Sequence, residues 1–125
     1  MTVKLFRCRH CGQIIFKVND TSVPVVCCGE KMAELVANTT DAATEKHVPV
    51  VEVNGNVVTV KVGSVTHPMI EEHYIQWILI NTNKGVQLKE LKPNQAPEAS
   101  FVLQDGEELI EAYEYCNLHS LWVKR

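Results

Sequence analysis

Four of the five cysteines fall within the first 28 residues, as Cys8-x2-Cys11, fifteen residues, then Cys27-Cys28. No other feature restricts the fold as strongly. A C-x2-C pair sets two thiolates on one tight turn, and a second pair from a distant turn completes a tetrahedron around a metal. An odd number of cysteines excludes complete disulfide pairing, and in a reducing compartment such clusters bind metals. Residues 1–37 carry little apolar mass. "LFRC" and "QIIFKV" read as short strands, and "CGQ" and "CGEKM" as turns. A piece this small cannot bury enough apolar surface alone and needs a metal or a partner. The second pair is adjacent, and neighbouring side chains point apart, so one metal there demands a distorted tetrahedron. Spacing leaves iron and zinc both open, zinc being the commoner occupant of four-cysteine knuckles. With four thiolates present, His10 is expected to face solvent.

"ANTTDAATEK" is small and polar and reads as a linker. From residue 48 the pattern is that of strands. "VPVVEV" and "NVVTVKV" flank Asn54-Gly55, a strong hairpin signal, because both central residues of a type I′ turn need positive φ. "YIQWILIN", "VQLKEL", "SFVLQ", "LIEAYEYC" and "LWVKR" follow, separated by "NKG", the proline-punctuated "KPNQAPEA", and "DGEE". About seven short strands with no helix predict an antiparallel β-sandwich over 38–125. "PMIEEHY" begins with proline and is expected to be a loop.

The formal net charge is -3 and charged residues make up 22%. That balance lacks the basic excess of nucleic-acid or membrane-surface binding. The N-terminal segment has no apolar h-region, and no run approaches the roughly 20 residues of a spanning helix. The expectation is a cytoplasmic protein that binds neither nucleic acid nor membrane.

The second constellation is His47, His67, His73, Cys116 and His119. Taken singly, each has an ordinary structural reading, and a lone free cysteine behaves as a small hydrophobe. Together they stand at strand ends or in connecting loops, where a sandwich gathers function. His47 precedes a strand, His67 and His73 bracket a loop, and Cys116 and His119 sit where "LIEAYEY" runs out. Four imidazoles and a thiolate make five donors. Zinc seldom takes five protein ligands, whereas iron accepts such a set.

"EKHVPV", "KVGSVTHPM", "EEHYIQWI", "LKPNQAPEASF" and "EYCNLH" closely resemble desulfoferrodoxin, the two-iron class of superoxide reductase, and the likeness spans nearly the whole chain. The resemblance implies a desulforedoxin-like iron domain over 1–37, followed by an immunoglobulin-like catalytic sandwich over 38–125. It implies one iron held by Cys8, Cys11, Cys27 and Cys28. A second iron would have His47, His67, His73 and His119 around it and Cys116 as its axial ligand. Glu45 and Lys46 match the family's mobile glutamate and lysine. The glutamate would fill the sixth position of ferric iron, and the lysine would attract the anion. The implied reaction is one-electron reduction of superoxide to hydrogen peroxide without oxygen evolution, a detoxification in an anaerobe or microaerophile. The implied partners are an electron donor such as rubredoxin or a reductase, and a second copy in a homodimer. A rubredoxin-like electron carrier is the alternative; it leaves the four histidines and Cys116 idle.

Overall fold

Around the cysteines, apolar residues come in runs too short for more than minimal strands. β1 (Leu5–Arg7), β2 (Ile14–Phe16), β3 (Val26–Cys27), β4 (Glu30–Lys31) and β5 (Ala33–Glu34) are each two or three residues long. β1 is central in an antiparallel sheet of order β2-β1-β5, and β3 and β4 form a separate hairpin. The computed structural model describes residues 1–125 and divides into two compact units, Thr2–Val36 and Ala37–Arg125, with Met1 joining the second. In the first unit only Leu5, Cys8 and Met32 are buried. That core is far below what a chain of this length needs to hold itself together.

In the second unit, α1 (Thr44–His47) leads into β6 (Pro49–Asn54) and β7 (Val57–Val62). β8 (Ile75–Thr82), β9 (Gly85–Glu90), β10 (Glu98–Val102), β11 (Leu109–Cys116) and β12 (Ser120–Lys124) complete it. All pairings are antiparallel, in one sheet of order β10-β7-β6 and another of order β12-β11-β8-β9. The result is the expected immunoglobulin-like sandwich. Strand alternation aims Val58, Val60 and Val62 of β7 and Ala99 and Phe101 of β10 into one core with Ile78 and Ile80 of β8 and Ala112 of β11, and a register shift between Tyr115 and Cys116 brings Ile75 and Cys116 into it as well. Cys116 thus stands at the end of a core-lining row, and its exposure is 0%.

Two local expectations are corrected. The β6–β7 turn has Gly55 and Asn56 at its centre, since Asn54 pairs with Val57. Gly55 has φ +61° while Asn56 keeps a negative φ. Glycine at the first central position and one positive φ describe a type II′ turn, one residue later than Asn54-Gly55 implied. The segment read as linker ends in a single helical turn, α1, closed by the Val48 N–H to Thr44 O bond at 2.9 Å. Val48 leaves the helix with ψ 124°, as the residue before a proline must.

The free edge of β12 is covered by a side chain. Asn38 Nδ2 donates to Val123 O at 3.1 Å, and Val123 N donates to Asn38 Oδ1 at 2.9 Å. Asn38 N adds a bond to Leu121 O at 3.0 Å.

Candidate metal centres

The four N-terminal sulfurs lie within 4.8 Å of one another. Cys11 Sγ is 3.6 Å from Cys27 Sγ, which is 4.0 Å from Cys28 Sγ. The adjacent pair converges because Cys28 takes φ +53°, the left-handed region, which swings its side chain to the same side as Cys27. For a non-glycine residue that backbone state costs about 1–3 kcal/mol, so something must hold it. The N–H groups of His10 and Cys11 point at Cys8 Sγ from 3.4 and 3.5 Å. The bond from Cys11 is the main cause that pulls the Cys8 thiol down to about 6, and the bond from His10 adds to it. Cys27, facing the sulfurs of Cys8 and Cys11, is pushed up to about 12. Four crowded sulfurs, one already favouring thiolate, fit a tetrahedral thiophilic cation. His10 stays outside the cluster and meets Glu30 Oε2 at 2.7 Å through Nε2, on the exposed surface.

The second cluster gathers donors from three places in the chain. α1 presents His47, the long β7–β8 connection presents His67 and His73, and the β11–β12 hairpin presents Cys116 and His119. Ser120, φ +65°, turns the hairpin back immediately after His119. All five donor atoms lie within 4.8 Å of one another. Each imidazole is placed by local bonding. His47 Nδ1–H donates to Ala43 O at 2.7 Å, and His67 Nδ1–H donates to Pro68 O at 2.7 Å. Those bonds fix both tautomers and leave each Nε2 a bare lone pair. Yet the two Nε2 atoms are 3.2 Å apart. His47 Nε2 is also 3.1 Å from His119 Nδ1, and Cys116 Sγ is 3.5 Å from His67 Nε2. His73 Nε2 is buried without any hydrogen-bond partner. Two acceptors facing each other at contact distance, beside an orphaned third, fit a bound cation.

The electrostatics prepare the same outcome. Burial, above all, lowers the pKa of His67 to about 4, aided by neighbouring imidazoles. His47 and His73 are also lowered, first by burial and then by the neighbouring imidazoles and Lys46. The shifts of His47, His67 and His73 favour the neutral, ligating form of these three rings. Burial raises the Cys116 thiol. A metal reverses that by claiming the thiolate, at the cost of a released proton.

Glu45 and Lys46 are exposed on α1 and lie outside the donor set. Glu45 holds the helix in place through its carbonyl, which accepts Val65 N at 2.9 Å and Ser64 Oγ at 3.2 Å. Gly63 lets that turn approach: a Cβ there would sit 2.6 Å from Glu45 O. Trp122 stacks on the His47 ring with centroids 4.9 Å apart and donates its Nε1–H to His119 O at 2.9 Å. Gly63, Asn117 and Trp122 carry no pattern that marks them in the sequence. Their roles come from contacts across the fold.

Comparison with known proteins agrees over the whole chain. The family model described as Desulfoferrodoxin matches residues 39–125. A desulfoferrodoxin of Syntrophotalea carbinolica is 45% identical over 120 residues, covering 96% of this chain and 94% of that one. The crystal structure of the superoxide reductase from Treponema pallidum aligns over 100% of both chains with a TM-score of 0.85 and 43% identity. The superoxide reductase (1Fe-SOR) from Giardia intestinalis aligns over 65% of this chain and 96% of its own with a TM-score of 0.55 and 36% identity.

Proposed function

This chain belongs to the desulfoferrodoxin family, and from that premise we propose how its two donor clusters divide the work of a superoxide reductase. The protein is an oxidoreductase acting on superoxide. It holds two irons per chain, one in a four-cysteine site and one in a site of four histidines and one cysteine. We assign Cys8, Cys11, Cys27 and Cys28 to the first iron, within a desulforedoxin-like domain spanning 1–37. We assign His47, His67, His73, His119 and Cys116 to the second, within a catalytic domain spanning 38–125. With ferrous iron bound, the second site would supply one electron to superoxide, which with two protons would leave as hydrogen peroxide with no oxygen released.

The chain's own residues do the rest. His47 and His67 are oriented by their carbonyl partners, so their lone pairs need no rearrangement on metal binding. Cys116 would bring a thiolate into a buried position, where its charge is little screened from a bound metal. Lys46 is near enough for its charge to depress His47 and His73, and the same field attracts a small anion. Glu45, one residue away on the exposed turn, would be the carboxylate that can reach a bound ferric iron. A rubredoxin or a reductase is the proposed electron donor, in the cytoplasm, to a homodimer. No helix is long and apolar enough to cross a membrane.

The observation that carries this reading is the ring of bare imidazole nitrogens closed by a buried thiol. Its test is Cys116→Ser. The variant is expected to lose the low-energy thiolate-to-iron band and superoxide reduction, while the blue-region absorption of the four-cysteine iron persists. Retention of both band and activity would remove Cys116 from the site. Product counting separates reduction from dismutation: one peroxide forms for each superoxide consumed, where dismutation gives half as much and releases oxygen.

A further inference from the structure

The four histidines of the second site are not held alike. His47 and His67 each anchor Nδ1 on a carbonyl. His73 has no such anchor. Its Nε2 has no partner, and its ring sits among the other imidazoles, 4.6 Å from His67, 5.1 Å from His119 and 6.5 Å from His47 between centroids. Where that ring points therefore depends on the backbone that carries it.

That backbone is gripped from both sides by Asn117. The Asn117 amide Nδ2 donates to Glu72 O at 3.0 Å, and its Oδ1 accepts Tyr74 N at 3.0 Å. Asn117 N adds a longer bond to Tyr74 O at 3.3 Å. Only one orientation of the amide satisfies both side-chain bonds, since one partner is a carbonyl and the other an N–H. The side chain thus stands in for a strand partner to residues 72–74, with His73 between the two bonded groups. A mutual bridge to Ile70, 3.1 Å in each direction, closes the loop on its other side.

We propose that Asn117 is the positioning residue for His73. It couples the loop that carries His73 to the hairpin that carries Cys116 and His119, so that three of the five donors are set as one piece. The inference rests on the assignment of these five residues to iron. It also accounts for the amide at a position flanked by two donors. Aspartate keeps the acceptor for Tyr74 N and loses the donor to Glu72 O, and alanine loses both.

The test uses the metal-loaded full chain and a double-mutant cycle. Asn117→Ala is expected to weaken iron binding at the second site by about 10- to 100-fold, the usual cost of losing an outer-shell partner. Chelator competition, read on the low-energy band, measures it. In a His73→Ala background the same substitution is expected to cost nothing further, because the ring it positions is gone. Amide exchange of Tyr74, lost from protection in Asn117→Ala, reports the clamp without reference to iron. Asn117→Asp is expected to fall between wild type and alanine, and it carries the cycle if the alanine variant does not fold. An equal loss of affinity in both backgrounds, an unchanged affinity, or undiminished protection of Tyr74 would overturn the proposal. Failure of the functional reading would show separately, as reductase activity surviving in Cys116→Ser with Tyr74 exchange untouched.

Discussion

Glu114 is wholly buried, two residues before Cys116 on β11, and neither of its carboxyl oxygens has a hydrogen-bond partner. Burial raises its pKa well above the usual carboxyl value. The consequence for stability has a definite sign. A group whose pKa is raised in the folded state binds more protons there than in the unfolded chain. Its contribution is full below the unfolded value near 4.5 and is lost as pH climbs through the folded one. Glu114→Gln, a close isostere without that ionisation, is therefore expected to match wild type near pH 4 and to become progressively more stable than it toward pH 8. Denaturant melts of both proteins across that range check it, and parallel stability curves would contradict it. Lys46 acts at the same scale but on rate. The net charge of -3 opposes encounter with an anion, and local fields change on-rates by about 10 to 1,000-fold. Lys46→Ala is expected to slow the bimolecular step by about tenfold and to flatten its fall with added salt, as pulse radiolysis across a salt series measures.

Among the elements, α1 shows how a single turn is stabilised from outside. Four residues are too few to nucleate a helix alone. The turn persists because the Glu45 carbonyl is bonded by Val65 and Ser64 and because Gly63 leaves room for that contact. Gly63→Ala would place a methyl 2.6 Å from backbone that cannot retreat without moving His47. The expected outcome is lower iron occupancy at the second site, with the four-cysteine site fully loaded, measured by metal analysis together with the visible spectrum. The same element explains what sequence reading captures here. The seven sandwich strands are legible because β-branched, leucine and aromatic residues alternate or cluster over five to eight residues between turn signals. The five donors are legible as residue types gathered at strand ends. α1 is not legible, since "TEKH" has no period of its own and is made by tertiary bonds. The convergence of Cys27 and Cys28 is hidden as well, because it depends on a left-handed φ at a cysteine. Asn117 reads as an ordinary polar loop residue until Glu72 and Tyr74 are brought beside it.

At the scale of the whole molecule, the two units are stabilised by different means. Thr2–Val36 buries almost nothing apolar, so its fold is tied to its metal. The sandwich has a continuous apolar core. Chelation under reducing conditions is expected to collapse amide dispersion for residues 2–36 while most sandwich resonances stay dispersed, as heteronuclear NMR of the full chain checks. Simultaneous loss of both sets would mean that one cooperative unit had been mistaken for two. The bonds from Asn38 to Val123 and Leu121 have a further consequence. An uncovered edge strand is a template on which another chain can crystallise its own backbone, and growth of that kind needs only one vacant rim. On β12 the rim is occupied at Leu121 and Val123 by a residue of the same chain, which needs no encounter to bind there. Asn38 thus acts as a terminator, since a strand arriving at β12 would first have to displace an amide already bonded there.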